Sequence, residues 1–214
     1  MPSIVKAIET QILRNQVIGK KTANKNERKY SEWALSLSKG LKTPDQILSE
    51  IYATTDSDSD VSSSFAKFSP KEGVGKLLLV EIYNYSHTET KITNRGKDVH
   101  LEHILPKKPK DWQIEHESWK EYHVRFGNMI LLDGKKNRII SNKLFDEKKK
   151  EYIKSSIEET RQIAEYEKWG VEEIEHRQQA LLEKVLKRWP IINTGQFTIE
   201  MFDEGRSVRA HKSS

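Results

Sequence analysis

The sequence predicts a mainly α-helical (α+β) protein that contains a small pair of strands. Apolar residues recur at helical spacing over most of the chain, and only short segments alternate between apolar and polar residues as strands do. Charged residues make up 32% of the chain and apolar residues 35%. With 214 residues, the chain is long enough for one large domain, or for a small core with an appended helical part.

Residues 1–72 are predicted to form an N-terminal helical region. Apolar residues with helical spacing follow Ile4, and a second helix is expected from Tyr30 to Gly40. Thr43 is followed directly by a proline, which is the pattern of a helix N-cap, so a third helix should begin there. The segment 54–64 contains only threonine, serine, aspartate and one valine, so we expect a flexible acidic loop.

A second region, residues 73–190, carries the two main strand-like segments. Residues 73–85 are apolar on nearly all sides, which is typical of a buried helix, although a strand also fits the pattern. Strands are expected at 98–105 and 128–132, and helices at about 136–155, 157–169 and 171–188. The C-terminal tail, 191–214, includes an alternating segment at 197–202 that is typical of a strand.

Composition limits the chemistry that the chain can use. Cysteine is absent, which excludes disulfides, thiolate catalysis and cysteine-based zinc sites. No apolar run reaches the roughly 18–20 residues that span a bilayer, and the N-terminus lacks a signal-peptide pattern. We therefore expect a cytoplasmic protein without a membrane partner. The net charge of +5 is compatible with a nucleic-acid partner but is too small to indicate one by itself.

The most informative motif is Glu102-His103, near the end of the first strand-like segment. Asn128 opens the second strand, and Asn137 follows near the expected start of a helix. Hydrolysis of a phosphodiester needs a base for the attacking water and positive charge near the phosphate. An imidazole, with an ordinary pKa of ~6.5, suits the first task, so His103 is the candidate general base. Glu102 and Asn137 are candidate oxygen ligands for a divalent metal ion, with Mg²⁺ expected first and Mn²⁺ as the alternative.

Two of these assignments depend on local geometry. Adjacent residues of a strand point to opposite faces, so a twist or bulge is needed for Glu102 and His103 to reach one phosphate. Asn128 would accept the His103 ring N–H with its side-chain carbonyl and so fix the tautomer of the imidazole. Taken singly, each residue also has an ordinary explanation, as a surface pair, a turn residue or a helix cap. Their combination in this order favours a hydrolytic site.

Longer motifs around these residues resemble a known family. The sequence Glu-His-Ile-Leu-Pro at 102–106, the segment 125–132, and the segment 140–152 with Ser-Asn-Lys at 141–143 are similar to the nuclease module of GmrSD-type proteins. These are modification-dependent (type IV) restriction and phage-defence proteins, and their module belongs to the HNH, or His-Me finger, superfamily. The resemblance implies a helical domain that encloses a small ββα-metal (HNH) finger, here at about residues 98–155.

The resemblance also implies roles by position. His103 matches the general base of the family, and Glu102 matches the acidic neighbour at the metal. Asn128 matches the middle asparagine of the superfamily motif, and Asn137 matches the third position, where histidine or asparagine is usual. A second metal-binding histidine is missing, and an amide oxygen is a weaker ligand than imidazole.

Basic residues near this motif are expected to bind DNA. A predicted helix carries many lysines with few acidic neighbours, an arrangement that offers sequence-independent contacts to phosphate. The candidate DNA-binding residues are Lys136, Arg138, Lys143, Lys148 and Lys149. For any single lysine, a solvated helix face is the alternative. His100 and Asn142 are candidate supporting residues.

These features together predict a metal-dependent DNA endonuclease or nickase, the cleavage module of a modification-dependent restriction or anti-phage defence system. No nucleotide-binding loop of the GxxxxGK[ST] type occurs in the sequence. The resemblance implies a separate NTPase-type domain or subunit that senses modified DNA. The chain would then be the cleavage subunit of a split system, or the nuclease half of a longer polypeptide. The alternative is a catalytically defunct HNH-derived module that binds DNA or docks a partner.

Overall fold

A computed structural model describes residues 3–87, 89, 91–93 and 99–192. The chain divides into two compact units, one formed by Met1–Val61 with the segment that begins at Trp189, the other by Ser62–Arg188. The described residues are mainly helical and contain one two-stranded sheet, which confirms the predicted mainly α (α+β) fold class. The strand expected at 197–202 lies outside the described residues.

The first unit consists of helices around an apolar core. Its elements are α1 (Ile4–Gln11), which continues into a π-helix (Ile12–Ile18), α2 (Asn24–Ser38) and α3 (Pro44–Ala53). Thr43 caps α3 as predicted, because its hydroxyl accepts the Gln46 N–H while the Gln46 side chain accepts the Thr43 N–H. The core contains Ala7, Trp33, Ile47, Leu48, Ile51 and Tyr52.

The acidic segment contains a helix where a flexible loop was expected. This helix, α4, spans Asp58–Phe65, and the Ser57 hydroxyl caps its first turn. The buried guanidinium of Arg14 donates to the Asp58 carboxylate at 2.7 Å and to the Asp56 carbonyl at 3.1 Å. Carboxylates in the first turn also stabilise a helix through its dipole. Local composition could not predict this helix, because the cation that anchors it lies 44 residues away in sequence.

The second unit holds the sheet and a helix that covers it. Its first elements are α5 (Glu72–Ser86), β1 (Val99–His103) and β2 (Met129–Asp133). The strands pair antiparallel, with His103 opposite Met129. α5 packs on both strands, and Gly75 of this helix lies against the side chains of Leu101 and Met129. The apolar segment 73–85 is therefore a helix, which removes the strand alternative.

Helices fill the rest of this unit. They are α6 (His116–Tyr122), a 3-10 turn (Phe126–Asn128), α7 (Gly134–Ile140), α8 (Phe145–Tyr152), α9 (Glu158–Ile163) and α10 (Val171–Arg188). α10 matches the expected helix at 171–188, whereas α9 covers only part of the helix expected at 157–169. The core includes Ile104, Leu105, Ile130, Leu132, Ile140, Phe145, Tyr152, Ile163, Trp169 and Ile174.

The long helix expected at 136–155 is broken into α7 and α8. Ser141, which follows α7, has a backbone φ of 38°, in the left-handed region that a right-handed helix cannot include. The chain therefore changes direction between the two helices. As a consequence, the lysines of α7 and those of α8 do not share one continuous helix face.

The turn before β2 packs tightly against α10. Arg177 of α10 is buried and donates to the carbonyls of Gly127 and Met129 at 2.6 and 2.7 Å. The side chain of Gln178 accepts the Gly127 N–H at 2.7 Å. Gly127 has no room for a side chain, since a Cβ there would lie 2.2 Å from the Ile174 carbonyl oxygen. These contacts set the position at which β2 begins.

We expect Gly127→Ala to lower the free energy of unfolding by about 3 kcal/mol, because the backbone of the turn or of α10 would have to move. Gly73→Ala is the matched control, since nothing lies within 4 Å of a Cβ at that helical position. It should be neutral or stabilising by up to about 1 kcal/mol. Urea unfolding measures both values, and equal results for the two variants would contradict the packing described for Gly127.

Candidate active site

β1 ends with Glu102 and His103 on opposite faces of the sheet. Side chains alternate along a strand, and β1 follows this rule, with Glu102 buried at 7% exposure and His103 half-buried. The register is regular, since the strand residues pair one to one from Val99 with Asp133 to His103 with Met129. The two residues that are adjacent in sequence are therefore separated by the sheet.

Glu102 points into the interior, where it meets Lys148 of α8. The Lys148 ammonium donates to the Glu102 carboxylate at 2.5 Å and to the His103 backbone carbonyl at 3.0 Å. The Tyr152 hydroxyl lies 3.5 Å from the same carboxylate oxygen. Burial raises the pKa of the Glu102 carboxyl and lowers the pKa of the Lys148 ammonium, and the ion pair opposes both shifts. Each charge therefore compensates for the burial of the other.

This arrangement differs from what two expectations require. Lys148, expected to bind DNA, is fully buried and its ammonium is bound to Glu102, so it does not reach a phosphate at the surface. Glu102, expected at a metal beside His103, lies on the opposite face and is bound to the lysine. One physical reason explains both differences. If either Glu102 or Lys148 left the buried ion pair to reach the surface or a metal, the other charge would stay buried without a partner.

His103 lies on the face of the sheet that α5 covers. Gly75 of α5 contacts Leu101, which shares this face, and Glu72 at the start of the helix interacts electrostatically with the imidazole. Glu72 also forms an ion pair with Lys107. Burial, with a smaller contribution from the Lys107 cation, lowers the pKa of His103 to about 4, and Glu72 acts in the opposite direction. The imidazole is therefore neutral at pH 7.

His123 is a further group near His103. Its ring stacks on Trp119 with 4.7 Å between the ring centroids, and its Nδ1 lies 2.9 Å from the Trp119 carbonyl oxygen. The sequence pattern indicated no role for His123 or Glu72, because no recognisable spacing links them to His103. One feature of the sequence could have drawn attention to Glu72. It directly precedes the expected helix at 73–85, and acidic residues are favoured in the first turn of a helix.

Asn128 is fully buried and connects three segments of the second unit. Its side-chain carbonyl accepts the Leu105 N–H at 2.8 Å and the Trp169 indole N–H at 3.0 Å. Its side-chain N–H₂ group donates to the carbonyls of Leu105 and His123, both at 2.9 Å. The expected bond from the His103 ring is replaced by these four, which use the hydrogen-bonding capacity of the amide. Asn128 thus shapes the backbone next to His103 and does not orient the ring directly.

Asn137 lies against β1, and His100 is a residue of that strand. Asn137 donates its side-chain N–H to the Leu101 carbonyl at 3.3 Å, so it connects α7 to the strand. The ring of the exposed His100 packs on Gly134, where a Cβ would lie 2.6 Å from it. Asn142 is exposed. Of these three residues, Asn137 alone comes from another element to bond to β1, whereas His100 belongs to the strand and Asn142 is at the surface.

The described residues do not fit the metal site expected from the sequence. Its carboxylate, Glu102, faces away from His103, and the Asn137 amide is bonded to backbone. Within the part of the chain that the structure describes, no three histidine or acidic side chains form a group that could hold a metal ion. Glu102 would have to leave its lysine before it could bind one beside His103.

The remaining candidate DNA-binding residues differ in exposure. Arg138 and Lys143 are exposed, and Lys136 is half-buried. Lys149 is held locally, because its ammonium donates to the Tyr166 carbonyl at 2.6 Å. Arg138 and Lys143 are therefore the members of the set that are best placed to meet a phosphate from outside.

A family match covers the sheet and most of the helices around it. Residues 54–184 match the family described as GmrSD restriction endonucleases, C-terminal domain. The chain belongs to this family. Membership confirms the resemblance to GmrSD-type proteins and suggests a nuclease role of the restriction-endonuclease type. A comparison of this GmrSD-family chain with curated proteins finds no match. Among its described helices, none is both long enough and apolar enough to cross a membrane.

Asn128→Ala should lower the free energy of unfolding of this GmrSD domain by at least about 3 kcal/mol, because it leaves buried partners of Asn128 without hydrogen bonds. Asn142→Ala, the same change at an exposed asparagine, should stay within about 0.5 kcal/mol of the wild type. Chemical denaturation followed by circular dichroism compares the two. A stable Asn128→Ala protein would show that the amide is not the structural connection described above.

Proposed function

We propose that this GmrSD-family chain is a DNA endonuclease or nickase whose β1, β2 and α7 form an HNH-type ββα finger. The three elements occur in that order, and the family match covers all of them. The observation that carries the proposal is the position of His103, a half-buried imidazole at the end of the first strand of this unit. Its lowered pKa is consistent with a ring that is neutral at pH 7. Neutral imidazole is the form that a general base requires.

In this proposal His103 takes a proton from the attacking water. A lone pair on a ring nitrogen accepts the proton as the water oxygen approaches phosphorus. The low pKa of His103 belongs to the DNA-free protein. A phosphate brought beside the ring raises that pKa, because a negative charge stabilises the imidazolium that forms. Glu72 contributes in the same direction.

The proposed activity depends on a divalent cation, Mg²⁺ or Mn²⁺. The resemblance to HNH nucleases implies it, and a bound cation would supply positive charge for the phosphate and the leaving oxygen. The present positions of Glu102 and Asn137 do not provide its ligands. Dependence on metal is therefore tested separately from the role of His103.

The proposed setting is modification-dependent restriction, or defence against phage. The family description names restriction endonucleases, which act on DNA. In this setting an NTPase-type domain or subunit recognises modified DNA and controls cleavage. The chain alone would then cleave slowly, and the partner would increase its rate.

A catalytically defunct module is the second candidate. One observation favours it, since the acidic residue of the motif lies on the opposite face from His103 and is paired with Lys148. A module of this kind would bind DNA or dock a partner without cleavage. Assays of cleavage and of binding separate the two candidates.

His103→Ala should abolish nicking of supercoiled plasmid in the presence of Mg²⁺ or Mn²⁺, because removal of a general base costs about 100-fold or more. His116→Ala is the matched control, because it removes an exposed imidazole and should leave the rate unchanged. The measurement is the conversion of supercoiled to open-circular plasmid over time.

Chelation of the metal with EDTA is a separate arm of the same assay. Equal background nicking by the wild type and His103→Ala would rule out the nuclease and favour the defunct module. Full nicking in EDTA would remove the metal requirement but leave the role of His103 in place.

Replacing both Arg138 and Lys143 with alanine should weaken DNA binding and make it less sensitive to salt. Each lost phosphate contact reduces the slope of log K against log salt by about 0.9, so the pair should reduce it by about 1.8. The control replaces Lys39 and Lys187, two exposed lysines, and removes the same charge. Fluorescence anisotropy with a labelled duplex at several salt concentrations gives the slopes. Equal slopes for the two double variants would exclude Arg138 and Lys143 as the binding surface.

A further inference from the structure

The peptide group between His103 and Ile104 is held at both ends. Its carbonyl oxygen, which belongs to His103, accepts a hydrogen bond from the Lys148 ammonium at 3.0 Å. Its N–H, which belongs to Ile104, donates to the backbone carbonyl of Asn128 at 3.0 Å. The next residue, Leu105, is bound at both of its backbone groups by the Asn128 side chain. The backbone that carries the imidazole is therefore fixed on its C-terminal side by these two residues.

Lys148 is the charged member of this arrangement. A lysine offers three N–H donors, and here one meets the Glu102 carboxylate and another meets the His103 carbonyl. The side chain is fully buried, so it reaches the strand from inside the protein and has no access to solvent. Hydrogen bonds from an ionised donor are about twice as strong as neutral ones, so this contact is a firm constraint on the strand end.

We propose that Lys148 is a positioning residue for His103. Its ammonium holds the carbonyl of His103 from the interior side of the sheet. This bond sets the direction in which the His103 side chain projects from the opposite face. Glu102 keeps the ammonium charged and in place. This inference rests on the proposed nuclease function, because it gives Lys148 a role in the reaction without contact to DNA or to the reacting atoms.

The position of the His103 carbonyl can be observed directly. The sequence His-Ile occurs once in the chain, at 103–104. Protein labelled with ¹³C at histidine carbonyls and ¹⁵N at isoleucine therefore gives a single cross-peak in a carbonyl–amide correlation spectrum. Loss of the bond from Lys148 should move the ¹³C resonance upfield, because a carbonyl that accepts a charged donor is deshielded.

The first variant is Lys148→Met, which keeps the length of the side chain and removes its donors. Lys187→Met, the same change at an exposed lysine of α10, is the control and should leave the cross-peak and the nicking rate unchanged. Because Lys148→Met leaves Glu102 buried without a cation, the change is also made in a Glu102→Gln background, where neither buried charge remains. There the reference is Glu102→Gln, in which Lys148 keeps N–H donors for the His103 carbonyl whether its amine is charged or neutral.

The expected result has three parts. The cross-peak moves upfield in the folded Lys148 variant, and the turnover at saturating plasmid falls by between about tenfold and 100-fold, the scale of a displacement of up to about 1 Å. The Kd for DNA and the slope of log K against log salt stay unchanged. A lysine that contacted phosphate would instead raise Kd and reduce the slope by about 0.9.

Two further results would overturn the inference. One is a cross-peak that does not move when Lys148 is replaced in a folded protein, and the other is a folded variant with the turnover of its reference. Failure of the proposed function has a different signature, namely a wild type that nicks no faster than His103→Ala. If the wild type nicks plasmid and the Lys148 variant nicks it at the same rate, the positioning role of Lys148 is excluded and the nuclease function is not.

Discussion

Side chains on a strand alternate between two faces, and the regular pairing of β1 with β2 extends this constraint to the end of the strand. If His103 lies on the face covered by α5, Glu102 must enter the interior on the other face. A buried carboxylate is costly unless a cation compensates for it, and Lys148 of α8 is that cation. The position of α8 is thus tied electrostatically to the strand that carries the imidazole.

The same strand end depends on a second polar contact in the interior. The Asn128 amide uses both of its ends, so the segment after β1, the end of α6 and the indole of Trp169 are joined through one side chain. Buried polar networks stabilise one arrangement strongly when every member is satisfied. The site is therefore defined by groups beneath the surface, and the exposed lysines around it are secondary to its geometry.

Features that depend on neighbours in sequence were predictable. The cap at Thr43, the helix at 171–188 and the strand pair all follow from local patterns, and the family resemblance rests on motifs within the matched region. The burial of Lys148 was not predictable, because composition alone favours a surface position for a lysine, whereas this burial depends on a carboxylate 46 residues earlier. The break between α7 and α8 at Ser141 was not predicted, because no glycine or proline at that place indicates the end of a helix.

β2 ends at Asp133 and α7 begins at Gly134, so no residue separates the strand from the helix. Asp133 belongs to both, since it pairs in the sheet and its carboxylate accepts N–H groups of the first helical turn. The direction in which α7 leaves the sheet is therefore set by a residue that is itself held in register opposite Val99. Because Met129 at the other end of β2 pairs with His103, one strand of five residues fixes both the start of the helix and the partner of the imidazole-bearing residue.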